Sequence, residues 1–169
     1  FLSHISNTAG IERFPNAQFD MVSLGIGLYG ISTQNQQSDL QPVGTFKSYI
    51  SQIKNVAAKE GVGYGQHGKA EHTRRIAVVA IGYADGFSRS FSQGKGAFRI
   101  NGKSAPVVGN VCMDMTMCDV TDIACKEGDE VLIFGDNPSV EQLASSIGTI
   151  PYEILTNVSD RVNRVFYQE

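Results

Sequence analysis

Residues 96–120, GAFRINGKSAPVVGNVCMDMTMCDV, decide the fold class. Asn101 and Gly102 separate two apolar, β-branched segments, and Asn-Gly suits a type I′ turn because both central positions need positive φ. A β-hairpin is expected there. The run APVVGNVCMDMTMCDV continues in the same texture and is expected to be extended. SYISQIKNVA (48–57), RRIAVVAIGY (74–83) and DEVLIFG (129–135) repeat the pattern, and RVNRVFYQ (161–168) is expected to form a closing strand. One helix stands out, with Ser139 as N-cap, Gln142 as its capping-box partner and Gly148 as the stop. No internal repeat is visible. The fold class is mostly β.

The first 44 residues differ. NTAGIERFP (7–15) suggests a loop feeding a short helix, and DMVSLGIGLYGI (20–31) is apolar on both faces, as a buried parallel strand is. The polar stretch STQNQQSDLQP (32–42) makes a linker, with the boundary between residues 33 and 45. The expected division is residues 1–44, the end of an α/β barrel plus linker, and residues 45–169, a β-domain.

The chain has 169 residues, 41% hydrophobic and 18% charged, which is enough to bury a core and too apolar for disorder. A net charge of −3 with no lysine and arginine run gives no footprint for nucleic acid, so a small-molecule partner is expected. No apolar stretch approaches the ~20 residues of a membrane helix and the opening FLSHISNTAG lacks a signal-peptide pattern, so no membrane partner and a cytoplasmic location are expected. Cys112 and Cys118, six residues apart in an extended run, would lie ~20 Å apart, too far for a disulfide unless the strand folds back. No histidine stands at zinc-ligand spacing from the three cysteines, so reduced, mostly buried thiols and no metal site are expected. The chain opens without methionine, which suggests a piece of a larger polypeptide.

VGYGQ (62–66) places Tyr64 between Gly63 and Gly65, where a packing tyrosine would want bulky neighbours. Stripped flanks fit the approach of a ligand or a facing subunit, although a structural tyrosine remains open. Tyr83, Asp85, Arg89, Met113, Asp114 and Tyr152 also sit in glycine-marked or turn-marked contexts, where polar groups converge on sites. A phenol acts as a base only if its pKa falls by ~3 units, worth ~4 kcal/mol, which one guanidinium in a water-poor site can supply. Arg89 is either that donor or a surface cation after a turn. Met113 is either core filler or part of a ligand contact, and Asp114, expected to be buried amid apolar neighbours, needs a partner such as a backbone amide. His67 and His72 are expected to be solvated. SHISNTAG (3–10) and SLGIG (23–27) offer hydroxyls and the bare amides of Gly25 and Gly27, which is how a neutral protein holds a phosphate, with N-capping the alternative for Thr8.

In order along the chain, SHISNTAG, FDMVSLGIGLYG, GVGYG, IAVVAIGYADGFSR, INGKSAPVVGNVCMDM, VTD, GDEV and TIPYE resemble the C-terminal half of alanine racemase, a pyridoxal-phosphate (PLP) family of fold type III. The resemblance implies a homodimer in which each site joins one subunit's PLP barrel to the other's β-domain, and an interconversion of L- and D-alanine that supplies peptidoglycan precursors. It implies that Tyr64 exchanges the α-proton on the L-alanine face and that Met113 helps bind substrate through its backbone. Thr8, Gly25, Ile26 and Tyr152 match positions around the cofactor phosphate, and Tyr83 and Arg89 match positions lining the access path. Two departures stand out. No motif matches the family's Schiff-base lysine, so this chain is expected to be inactive without the missing N-terminal barrel half. Ser23 stands where the family usually has an arginine facing the pyridine nitrogen, which implies weaker PLP binding or an altered reaction balance. Asn110 likewise replaces an arginine near the access corridor. The alternatives are a non-catalytic dimerisation or capping module, and a racemase for serine, lysine or ornithine.

Overall fold

The structure is a computed structural model that describes residues 1–34 and 40–167. Positions 35–39 of the expected linker, and Gln168 of the expected closing strand, lie outside the described residues. The chain divides into two compact units, Phe1–Gly44 and Thr45–Glu169. No described helix is long and apolar enough to cross a membrane.

In the first unit, β1 (His4–Asn7) pairs in parallel with β2 (Met21–Ser23), and α1 (Thr8–Arg13) lies between them in sequence. Asn7 caps α1, its side chain accepting from the Gly10 amide at 3.0 Å. The expectation of one long buried strand over residues 20–31 is corrected. Extended structure stops at Ser23 and a 3₁₀ turn occupies Ile26–Tyr29. The chain leaves the strand because the amides of Gly25 and Gly27 turn toward the Thr8 hydroxyl. Met21, Leu24, Leu28 and Tyr29 are exposed, since a two-stranded sheet has no second layer to cover them.

The second unit is mostly β, the expected fold class. Its six strands are β3 (Phe46–Val56), β4 (Arg74–Val79), β5 (Ala97–Ile100), β6 (Lys103–Pro106), β7 (Thr116–Asp119) and β8 (Glu130–Phe134). They form one sheet in the order β6-β5-β8-β3-β4-β7, every pairing antiparallel. A further bridge from Val107, just past β6, to Cys118 in β7 brings the two edges together, so the sheet nearly closes on itself. The eleven residues of β3 form the spine. Its first half pairs with β8 and its second half with β4. The Asn101-Gly102 turn has positive φ at both residues (50° and 77°), as the dipeptide predicts.

Two helices follow β8. In α2 (Val140–Ser146) Ser139 and Gln142 form the expected capping box, and Gly148 takes φ of 72° beyond its end. Sequence reasoning missed α3 (Pro151–Thr156), whose signal is Pro151 at the first helical position.

Three further expectations are corrected. Residues 107–120 are not one extended run: the Cys112 amide donates to the Met115 carbonyl at 3.0 Å, and the chain turns before entering β7. The ~20 Å separation derived from a straight strand therefore does not apply to Cys112 and Cys118, although all three cysteines are free. The described part of the expected closing strand, residues 161–167, is not a strand. Its approach is folded into turns, with Val162 donating to the Ser159 carbonyl, and Val165, Phe166 and Tyr167 are exposed.

The core of the second unit holds Ile50, Val79, Ile81, Ile100, Val111, Val120, Val131 and Ile133, all nearly inaccessible. Phe87 stacks on Phe91 at 4.5 Å and tilts against Phe98 of β5 at 4.9 Å. Burying such rings stabilises by about 1.5–3 kcal/mol each, with about 0.5–1.5 more per favourable pair. They pin residues 82–91 to the sheet. Thr116 is fully buried and donates to the Ile81 carbonyl at 2.7 Å, fixing the chain just before Gly82. Replacing Thr116 with valine keeps the shape but strands that carbonyl, so the urea midpoint should fall by the equivalent of about 1–3 kcal/mol, while Thr116→Ser should cost less.

Candidate functional site

Tyr64 stands at the tip of a closed loop. The Val62 amide donates to the His67 carbonyl at 3.2 Å, and Gly63 and Gly65 adopt φ of 71° and 76°. A Cβ at Gly63 would lie 2.5 Å from Met117 Cε, and one at Gly65 would lie 2.8 Å from the His67 ring. The loop is rooted by Val62 in a cluster with Ile76, Val108, Cys112 and Met117. From the facing loop, Asn110 Nδ2 donates to the Tyr64 carbonyl at 3.2 Å. The backbone is held at both ends while the ring is 77% exposed. The glycines serve the backbone's path, and the phenol points away from the core.

A second element lies at the end of β4. Tyr83 and Ala84 donate their amides to the carbonyls of Cys112 and Met113, both at 3.0 Å. This joins the GYADG turn to the VCMDM turn. Asp85 caps its own turn, Oδ2 accepting from the Gly82 amide at 2.8 Å. Tyr83 is partly exposed and Met113 half exposed, so Met113 is not core filler. Its carbonyl is occupied, whereas its amide donates to no acceptor among the described residues. Asp114 is exposed and accepts from no backbone amide among the described residues. It lies on the outside of the turn that Cys112 and Met115 close, and it pairs with the guanidinium of Arg161. Arg161 also reaches Asp85, Nε to Oδ1, at 2.8 Å.

Arg89 opens the 3₁₀ turn Arg89–Phe91 and is exposed. It has no ion pair and no hydrogen bond to Tyr64 among the described residues, so within this chain it stands as an exposed cation after a turn. Its charge acts on Cys112 instead. Burial pushes that thiol up, and Arg89 opposes the rise. Tyr152 sits in the first turn of α3, partly exposed. His67 and His72 are exposed, as expected.

In the first unit Thr8 is 3% exposed and is not the N-cap. Its Oγ1 accepts from the Gly25 amide at 3.0 Å and the Gly27 amide at 3.5 Å. A hydroxyl that accepts twice still has its proton to donate. A Cβ at Gly27 would meet Leu24 Cδ1 at 2.9 Å and Thr8 Cγ2 at 3.1 Å, so both side chains would have to give way. The Ile26 amide opens the 3₁₀ turn and donates to no acceptor among the described residues. A hydroxyl proton and a free amide on neighbouring backbone are donors suited to an anion such as phosphate. Ser23 is exposed at the end of β2.

Arg161 and the tie from Asn110 to Tyr64 were not foreseen. Arg161 lies 76 residues from Asp85 and 47 from Asp114, so no local spacing announces it.

Comparison with known proteins supplies the family. A family model described as "Alanine racemase, C-terminal domain" matches residues 43–166. The alanine racemase of Sorangium cellulosum is 42% identical over 98% of this chain and 46% of its own length. The crystal structure of alanine racemase from Bartonella henselae, with covalently bound pyridoxal phosphate, is 32% identical with a TM-score of 0.91, over 97% of this chain and 46% of that one. Alanine racemase from Streptomyces lavendulae, a D-cycloserine producer, also superposes with a TM-score of 0.91 at 34% identity, over 98% of this chain and 46% of that one. The chain thus spans about half the length of the relatives it matches. On its strands, its glycine-bracketed loops and this match across most of its length, the chain belongs to the alanine racemase C-terminal domain family.

Proposed function

We propose that the chain supplies the proton-exchanging tyrosine and part of the substrate wall of a PLP-dependent alanine racemase. The observation that carries this reading is Tyr64: a phenol presented 77% exposed on a loop whose backbone is fixed on both sides. A tyrosine held out in this way serves a reacting group that its own domain does not contain. In a homodimer that group sits in the neighbouring subunit's barrel.

The first unit fits a phosphate-bearing cofactor. The Thr8 hydroxyl proton and the Ile26 amide are donors without acceptors among the described residues, beside the Gly25 backbone, and Tyr152 is a further candidate. PLP, when bound, supplies an electron sink that acidifies the α-hydrogen of a bound amino acid. The chain's own residues do the rest. Tyr64 takes that hydrogen as a proton onto its phenolic oxygen, or gives the proton back from its hydroxyl, on the L-alanine face. The free Met113 amide suits a substrate carboxylate, and its position is fixed because its carbonyl is held by Ala84. Tyr83 and Arg89 line the approach, with Arg89 contributing positive charge toward an anionic substrate. The base for the opposite face comes, on this reading, from a lysine in the part of the family's length that this chain does not span. The product serves peptidoglycan precursor supply in the cytoplasm. Pocket size, rather than these motifs, separates alanine from serine, lysine or ornithine.

Loss of the α-hydrogen of alanine in deuterated water tests this in the complete polypeptide. Tyr64→Phe should keep fold and PLP absorbance and lower racemisation by about 10²–10⁴-fold, the range for a positioned acid or base. Near-normal rates would overturn the assignment in favour of a dimerisation or capping module. Ser23 is too short to reach where the family's arginine does without a water bridge or a shifted cofactor. Ser23→Arg should alter the cofactor spectrum and tighten PLP retention roughly tenfold, the scale of one charge-assisted hydrogen bond. An unchanged spectrum and turnover would remove any role for the serine.

A further inference from the structure

Beyond α3 the chain folds back over the two turns that carry Tyr83 and Met113. The Ser159 amide donates to the Asp85 carbonyl at 3.2 Å. Two residues later Arg161 spreads its guanidinium between Asp85 Oδ1 and Asp114 Oδ1. The remaining Asp85 oxygen is engaged by the Gly82 amide, so its carboxylate is fixed and only 15% exposed. A Cβ at Gly86 would meet the Asn157 carbonyl oxygen at 2.4 Å, so the returning segment lies directly on this turn. An isolated surface ion pair contributes little. Here a planar fork engages carboxylates from two different loops, which a single pair does not do.

The two carboxylates are like charges gathered on one guanidinium. Remove it and they repel, pushing apart the turns that the Tyr83–Cys112 and Ala84–Met113 backbone bonds hold together. We propose that Arg161 is a positioning residue: it ties the GYADG turn to the VCMDM turn and so sets the spacing between the Tyr83 ring and the Met113 amide that meets the substrate. This rests on the racemase reading for its kinetic consequence, but the tie itself is a property of the second unit.

The test uses the complete polypeptide with Arg161→Met, Arg161→Lys and Arg161→Met combined with Asp114→Asn. In R161M the amides of Tyr83 and Ala84 should exchange with deuterated solvent about tenfold faster, while amides of β3 and β4 keep their protection. KM for alanine should rise about tenfold with kcat little changed, the pattern of lost binding geometry rather than lost chemistry. Adding D114N removes the repulsion and should recover part of both effects, which a merely structural role for Arg161 would not produce. Lysine keeps the charge without the fork, so R161K should show the same changes to a smaller degree, and it stands in if R161M does not fold. Wild-type exchange at Tyr83 and Ala84 in R161M, or in R161K where that is the folded variant, would overturn the proposal. A polypeptide that shows the exchange changes but no α-hydrogen loss would sink the racemase reading and leave the tie standing.

Discussion

Residue 82 has no room for a side chain. A Cβ there would lie 2.3 Å from the carbonyl oxygens of both Cys112 and Met113, a separation that no rotamer change relieves because both obstacles are backbone. Only glycine lets the end of β4 approach the VCMDM turn closely enough for Tyr83 and Ala84 to donate to it. The rest of the candidate site follows from that contact. Thr116 fixes the carbonyl of Ile81 on one side, and the buried Phe87–Phe91–Phe98 stack fixes the chain on the other. Tyr83 and Arg89 lie on the exposed turns between these anchors. Their backbone is held from both sides by buried residues, although their side chains face solvent.

The Tyr64 loop solves the same problem by other means. It has no aromatic stack, and its hold is Val62 in a small apolar cluster plus hydrogen bonds that close the loop and tether it to Asn110. Gln66, at φ of 50°, joins Gly63 and Gly65 in the left-handed region, so three of four consecutive residues take a conformation that most side chains avoid. A domain that needed only to pack this tyrosine would have used a less strained path and covered the ring. Both loops share one arrangement: a backbone fixed by hydrogen bonds and an exposed tyrosine ring.

Much of this was legible in sequence because it is local. Asn101-Gly102 specifies its own turn, Ser139 with Gln142 specifies a helix start, and glycines around Tyr64 and before Tyr83 report that backbone must come close. What failed was tertiary. Apolar runs do not distinguish a strand from a chain that turns within the core, so residues 107–120 and 20–31 were expected to be straighter than they are. The C-terminal RVNRVFYQ has a strand's composition, but Arg161 is drawn to Asp85 and Asp114, and the described residues 161–167 form no strand. Asp114 was expected to be buried because its sequence neighbours are apolar, yet a turn places it outside. Asn110 could be noticed only as a departure from the family pattern, whereas its geometry shows a hydrogen bond to the Tyr64 carbonyl.

The two units differ in how far each satisfies itself. The second nearly closes its sheet through the Val107–Cys118 bridge and fills it with inaccessible side chains, so its exposed tyrosines are choices made against a complete core. The first has two short parallel strands, and its large apolar side chains Ile5, Phe14, Phe19, Met21, Leu24 and Leu28 are exposed. Parallel strands are ordinarily covered on both faces, and an apolar surface of this kind marks contact with further protein. Yet Thr8 is already buried and already holds the Gly25 and Gly27 amides, so the donors suited to an anion are set by residues of this unit alone. The local hydrogen bonds therefore shape the Gly25–Gly27 turn without help from outside this unit, while the apolar surface determines only what must lie against it.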